Sequence, residues 1–353
     1  MSSPSAIFLP ADKPRARHHA LIFFVCGNPG LIAFYHDFLT HLSNLIRTSN
    51  TVHTAYDIYG RNLRGFADVD HDHPDITKPW DLEAQIESVY DDITSQRRRD
   101  AGDPYDFVVL IGHSVGAYIT VEVFARHMAQ GARRAPHLTL RHGVLLFPTL
   151  THIAESPSGR HMTRLDEKLP WLADQAHWLA SLILWPLTEG ALAWIMQTAM
   201  GFTAQAASVA AGWLKSRHGV RQAIYLGRTE MRTIREDEWE EELWEVSAAD
   251  GSSGGVPRFY MFYAREDHWV ASRLRDEFVE KRKGRARIVV DEGDVPHAFC
   301  TRERKYSFLH PCLVSMLHGL SEANKLLDST WLIARKVSEW VEEMEEGVRR
   351  DTA

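Results

Sequence analysis

The run Gly112-His113-Ser114-Val115-Gly116 is a G-x-S-x-G pattern, and its chemistry would be nucleophilic attack by the Ser114 hydroxyl. It follows the apolar stretch FVVLI at 107–111 and precedes a helix-forming stretch from 117 to 128. A strand that turns sharply into a helix strains the serine backbone. The flanking glycines, Gly112 and Gly116, let neighbouring chain approach without Cβ clashes. The hydroxyl then stands above the sheet at a helix N-terminus, where the dipole favours a developing anion. An ordinary strand-helix turn with a chance serine is the competing reading, and the strand-before, helix-after context favours the elbow. His113 reads as an elbow neighbour that packs or lines a pocket.

A nucleophilic serine needs a base and an acid that orients the base, in the chain order serine, acid, histidine. Asp267 lies just past the run FYMFYA, where a carboxylate can accept from a histidine Nδ1–H; Glu266 competes for the role, and a solvated turn is the plainer alternative. His297 sits in the loop after the run RIVV. That position sets it above His268, His310 and His318 among the nineteen histidines. An oxyanion needs two preorganised backbone N–H donors. Val115 supplies one. The other falls in Gly27-Asn28-Pro29-Gly30, where Pro29 has no N–H and Asn28 is the better donor; a plain turn is the alternative. His71-Asp72-His73-Pro74-Asp75 has metal-ligand residue types without a partner cluster, so a solvated loop is favoured. No metal or cofactor is expected. There is no P-loop and no GxGxxG.

These residues sit at the ends of short apolar runs bounded by turn signals, at 20–26, 52–59, 107–111, 143–147, 259–263 and 287–290. Runs of this kind suit strands buried on both faces, as in a parallel sheet. Helical patterns lie between them at 34–46, 82–96, 117–128 and 271–279. The alternation predicts an α/β fold, a mostly parallel sheet flanked by helices. From 151 to 248 helical patterns run without clear strands, and the Gly/Ser-rich DGSSGG at 250–255 returns the chain to the sheet. The expected organisation is one catalytic domain, 18–150 and 249–345, with an inserted helical cap at 151–248. A C-terminal amphipathic helix is expected from about Lys325.

With 353 residues the length alone suggests two domains or one large domain with an insertion. A net charge of −7 and a pI near 6.2 argue against a nucleic-acid binder. Three cysteines, Cys26, Cys300 and Cys312, cannot build a disulfide scaffold, and a reducing compartment fits best. The N-terminus does not read as a signal peptide. A mean hydropathy of −0.28 conceals one apolar segment. Seven of the eleven tryptophans fall in the insertion: Trp171, Trp178, Trp185, Trp194, Trp213, Trp239 and Trp244. From Trp178 to Leu214 the only charged residue is Glu189, and Pro186 and Gly190 divide the stretch in two. Alanine and polar residues make it a poor bilayer span. Two apolar helices with terminal tryptophans suit an interfacial hairpin, and a cap lining an acyl pocket is a compatible alternative.

Together these features resemble the lipid droplet-associated hydrolase family of the α/β-hydrolase superfamily. The resemblance rests on GNPG with LIAFYHDFL at 27–39, GHSVGAYI at 112–119, FYAREDHWV at 262–270 and DVPHAFC at 294–300. It implies an α/β-hydrolase fold with Ser114 as nucleophile, Asp267 as acid and His297 as base. It also implies association with lipid droplets and turnover of sterol esters or other neutral lipids. The expected activity is a serine ester hydrolase acting on lipid esters, sterol ester or acylglycerol, at the droplet surface or the cytosolic face of the endoplasmic reticulum membrane. Contact with the monolayer would run through the Trp178 to Leu214 stretch. A droplet-coating or tethering protein with little catalysis, and an acyltransferase in which an alcohol replaces water, are the competing readings.

Overall fold

The computed structural model describes residues 3–13, 16–72, 78–244, 258–293, 295–302 and 328–351. Within these, seven strands make one sheet: β1 (Ala6–Leu9), β2 (His19–Val25), β3 (Ala55–Arg61), β4 (Phe107–His113), β5 (Leu140–Leu146), β6 (Phe259–Ala264) and β7 (Arg287–Asp291). The order across the sheet is β1-β3-β2-β4-β5-β6-β7. Only β1 is antiparallel to its neighbour; the other pairings are parallel. The central strands are buried along almost their whole length, because helices cover both faces of a parallel sheet. That burial is why they read as continuous apolar runs rather than alternating ones.

Among the described residues five helices belong to the body: α1 (His36–Thr48), α2 (Leu82–Ser95), α3 (Val115–Arg134), α9 (Ser272–Lys281) and α10 (Ser329–Asp351). Helix α1 packs on α10 and α2 packs on α3. The apolar face of α10, including Val337, Trp340, Val341 and Met344, is buried. That face belongs to the core. Glu345 on this helix accepts from the Thr54 and His53 amides and from the Tyr56 hydroxyl, which ties α10 to the start of β3. The sequence pattern missed β1. Its four residues pair along the outer edge of β3, an arrangement set by partners far along the chain rather than by local periodicity. Strand β3 starts at Ala55 rather than 52, and α3 starts at Val115 rather than 117.

Between β5 and β6 the described residues form helices and no named strand: α4 (Pro157–Lys168), α5 (Pro170–Leu184), α6 (Glu189–Met200), α7 (Ala204–Lys215) and α8 (Gly219–Thr233). Side-chain caps start three of them. Ser156 accepts from the Gly159 amide, Thr188 from Ala191 and Thr203 from Ala206. The stretch from Trp178 to Leu214 therefore differs from the expected two-helix hairpin. Gly201 takes a left-handed conformation (φ 68°) at the end of α6 and splits the second half into α6 and α7. No helix among the described residues is long and apolar enough to cross a membrane. The Gly/Ser-rich 250–255 stretch and Cys312 lie outside the described residues.

Candidate active site

Ser114 sits where β4 meets α3, with φ 56° and ψ −124°, a strained conformation for a residue with a side chain. Its amide donates to the Leu146 carbonyl at 3.0 Å, which anchors the turn to β5. Gly116 is needed on the other side, since a Cβ there would run into the Val25 carbonyl. Its absence lets α3 start tight against the end of β2. Gly27 answers a similar demand: a Cβ would lie 2.9 Å from His113 Nδ1 and 3.1 Å from Ser114 Cβ. The loop after β2 can thus lie directly against the serine turn.

His297 and Asp267 reach Ser114 from the loops after β7 and β6. Ser114 Oγ lies 2.9 Å from His297 Nε2, and His297 Nδ1 lies 2.7 Å from Asp267 Oδ2. With a neutral ring, Nδ1–H donates to the carboxylate and Nε2 accepts the serine O–H. Asp267 Oδ1 also accepts from the Trp269 amide at 2.8 Å. Burial by itself would raise the Asp267 carboxyl. The His297 ring and these hydrogen bonds outweigh burial and hold it below the ordinary carboxylate value. Glu266, its competitor in the sequence, is exposed, whereas Asp267 is buried. Arg275 on α9 braces this turn, donating through one buried nitrogen to the Ala264 and Arg265 carbonyls at 2.9 and 2.8 Å.

His113 does more than line the pocket. Its Nε2 lies 2.9 Å from the His297 carbonyl, an acceptor, so Nε2 carries the proton. Nδ1 is then the acceptor for the Tyr35 hydroxyl at 2.8 Å, and the Tyr35 oxygen accepts from the Gly27 amide at 3.0 Å. Burial pushes the His113 ring down to about 3, with the nearby His297 ring adding to the effect, so His113 is neutral. One buried chain thereby links the loop after β2, the serine turn and the His297 loop. Phe147, at φ 47° just past β5, packs its ring against His113, His297 and Phe299.

Of the two residues expected to supply oxyanion amides, Val115 directly follows Ser114 and Asn28 lines the same cavity as Ser114. Val115 is the first residue of α3, where an N–H has no intrahelical partner. The Asn28 side chain is otherwise engaged: Nδ2 donates to the Ala223 carbonyl and to Glu230 Oε1, both at 3.0 Å. A cavity of about 590 Å³ opens over Ser114, His297 and Asn28. Its walls come largely from the inserted helices, with Met196, Phe202, Trp213, Ile224 and Met231 among them. Tyr35 and Glu230 are polar residues of this cavity that the sequence pattern did not single out. Glu230 left a readable signal. Buried Leu226, Gly227 and Glu230 recur at helical spacing on α8, which places an acid on an inward face. His71 is used locally: it bonds the Gly65 carbonyl at 2.9 Å and stacks on His218. His73, Pro74 and Asp75 lie outside the described residues. Among the described residues no group of three His, Cys, Asp or Glu side chains could hold a metal ion.

The sheet and the serine turn at the end of β4 define an α/β-hydrolase fold. Solved structures share it. The peroxisomal alpha-beta-hydrolase of Saccharomyces cerevisiae superposes with a TM-score of 0.54 at 12% identity, over 96% of this chain and 88% of that one. A membrane phospholipase A described as a bacterial virulence factor gives 0.50 at 12% identity, over 98% and 83%. The sequence comparison is more particular. Residues 18–300 match the family described as lipid-droplet associated hydrolase, and the chain belongs to that family. The lipid droplet-associated hydrolase of Mus musculus is 26% identical over 290 residues, 79% of each chain. Its counterpart in Homo sapiens is 26% identical over 298 residues, 82% of each chain. That of Dictyostelium discoideum is 23% identical over 292 residues, 81% of this chain and 84% of that one.

Proposed function

We propose that this chain is a serine hydrolase of lipid esters that works at the lipid droplet surface. Its catalytic unit comprises 18–150 and 249–345, and 151–248 is the cap. The observation that carries the reading is the hydrogen-bonded series Ser114 Oγ, His297, Asp267 at the floor of a largely apolar cavity. His297 Nε2 takes the Ser114 proton as Oγ attacks the ester carbonyl. The Asn28 and Val115 N–H groups stabilise the oxyanion. Asp267 holds Nδ1–H and stabilises the imidazolium. His297 then protonates the departing alcohol, and in the second half-reaction it activates the water that releases the fatty acid.

Ser114→Ala is expected to abolish turnover of lipid and p-nitrophenyl esters and to abolish covalent labelling by a fluorophosphonate. Labelling that survives the change removes Ser114 from the role.

A second reading, a droplet-coating protein with little catalysis, draws support from exposed side chains on the cap. Trp171, Trp178 and Trp194 are all more than half exposed, and Trp185, in the turn between α5 and α6, is 81% exposed. Large exposed apolar side chains of this kind mark a docking surface, and indole rings suit a lipid-water boundary. Droplet morphology in cells carrying Ser114→Ala separates the two readings. A phenotype that matches wild type favours coating; loss of the wild-type phenotype favours catalysis.

A further inference from the structure

We propose that Glu230 forms a hydroxyl-recognition subsite within the Ser114 cavity, fitted to a lipid ester that keeps a free hydroxyl close to the ester bond, as a partial acylglycerol does. The inference rests on the reading of the cavity as a lipid-ester site.

Glu230 projects from α8, is 5% exposed and lines the cavity. The only hydrogen-bond partner of its carboxyl among the described residues is Asn28 Nδ2, so its second oxygen has none. The two N–H groups of Asn28 Nδ2 go one to the Ala223 carbonyl and one to Glu230 Oε1, so a single neutral acceptor would serve Asn28 as well and the second carboxyl oxygen is left over. The same cavity is also lined by Ile224, Met231, Met162 and Trp213, whose apolar surfaces suit a hydrocarbon chain. Burial pushes the Glu230 carboxyl up to about 7, the mark of an acid in apolar surroundings. A carboxyl oxygen left without a partner once a ligand has displaced water from the cavity is costly, and a ligand that supplies one is selected over a ligand that does not.

A hydroxyl suits the carboxyl in either protonation state, since it both donates and accepts. A cationic head group fits less well, because Arg302 also lines the cavity. Position narrows the class further. Glu230 contacts Asn28, whose amide stands at the ester carbonyl in the proposed mechanism, so the hydroxyl must lie within a few bonds of the ester. A monoacylglycerol has this arrangement. A sterol ester and a triacylglycerol have no free hydroxyl.

The test is binding, which does not depend on turnover. Decyl glyceryl ether, which has no ester to hydrolyse, and its dimethyl ether are titrated by calorimetry, below micelle formation, into the full-length wild type and into Ser114→Ala. Both proteins are expected to bind the diol at least about tenfold more tightly than the dimethyl ether. Glu230→Leu is expected to lose that ratio and Glu230→Gln, which keeps an acceptor, to retain most of it. Equal binding of the two ligands by wild type overturns the proposal without any variant, as does a ratio that persists in Glu230→Leu. Failure of Ser114 to label with a fluorophosphonate would instead overturn the hydrolase reading and leave this ratio unaffected.

Discussion

Tyr35 holds two loops of the site with one oxygen, accepting from Gly27 and donating to His113. Phenylalanine there would leave two buried partners unpaired, each worth about 1–3 kcal/mol. Tyr35→Phe is expected to lower thermal stability and to cut kcat roughly tenfold with a smaller change in KM, because the His297 loop loses its brace; steady-state kinetics with a thermal melt check this. Glu230 gives a pH signature. Its folded-state pKa of about 7 lies above the ordinary glutamate value of 4.5, so the folded chain holds this proton more tightly than the unfolded chain. Its contribution is therefore most favourable below the unfolded value and is lost as pH rises through about 7, a difference of roughly 3 kcal/mol. Glu230→Gln is expected to raise stability relative to wild type at pH 8 and to bring much less gain at pH 5, by denaturant unfolding. Asp267 and His113 act in the opposite direction. Their folded values are depressed, so their contributions are lost on acidification.

At the scale of elements, the inserted helices dock on two loops of the site at once. Asn28 in the loop after β2 bonds to Ala223 and Glu230 on α8. Thr203 at the start of α7 donates to the Thr301 carbonyl just past His297, and Phe202 bridges Arg302. Helix α7 buries Ala206, Ala207, Val209, Ala210 and Ala211, and its close-packed small residues explain the dilute hydrophobicity of this stretch. Removing the segment from Trp178 to Leu214 would take away a cavity wall along with the exposed tryptophans. Substitution is the cleaner probe. Changing Trp178, Trp185 and Trp194 together to serine is expected to reduce binding to triolein droplets coated with phospholipid by at least about tenfold. Flotation measures this, and the fluorophosphonate labelling rate in solution is expected to persist.

Across the whole molecule, the fold is closed by contacts between the ends of the chain. Helix α10 lies on α1, and Glu345 brings three donors from residues 53–56 onto one buried carboxylate. Glu345→Ala leaves those donors unpaired and is expected to cost about 2–4 kcal/mol. Equilibrium denaturation would show it, with the labelling rate of Ser114 in the folded fraction unchanged. Arg282 plays a comparable part after the cap. Fully buried, it pairs with Asp237 and Glu241 and lies over the Trp244 ring, joining the end of the insertion to α9.

Much of this was legible locally. Strands buried on both faces must be apolar throughout, so β2, β4 and β6 declared themselves. A serine between glycines at a strand-helix junction needs no distant information to be read as an elbow. The helical character of the described residues between β5 and β6 was readable for the same reason, and the chain order serine, acid, histidine put Asp267 and His297 forward as candidate partners of Ser114. The tertiary structure decided what depends on residues far apart in sequence. It buried Asp267 and left Glu266 in solvent, and it joined Tyr35, His113 and the His297 carbonyl into one chain. It paired β1 with β3 across more than forty residues. Among the seven tryptophans of the insertion it left Trp171, Trp178, Trp185 and Trp194 exposed and drew Trp213, Trp239 and Trp244 against the body. Local pattern sets which face of an element is apolar. Only the closure of long loops decides what that face meets, and therefore which acids, rings and hydroxyls come within hydrogen-bond reach of Ser114.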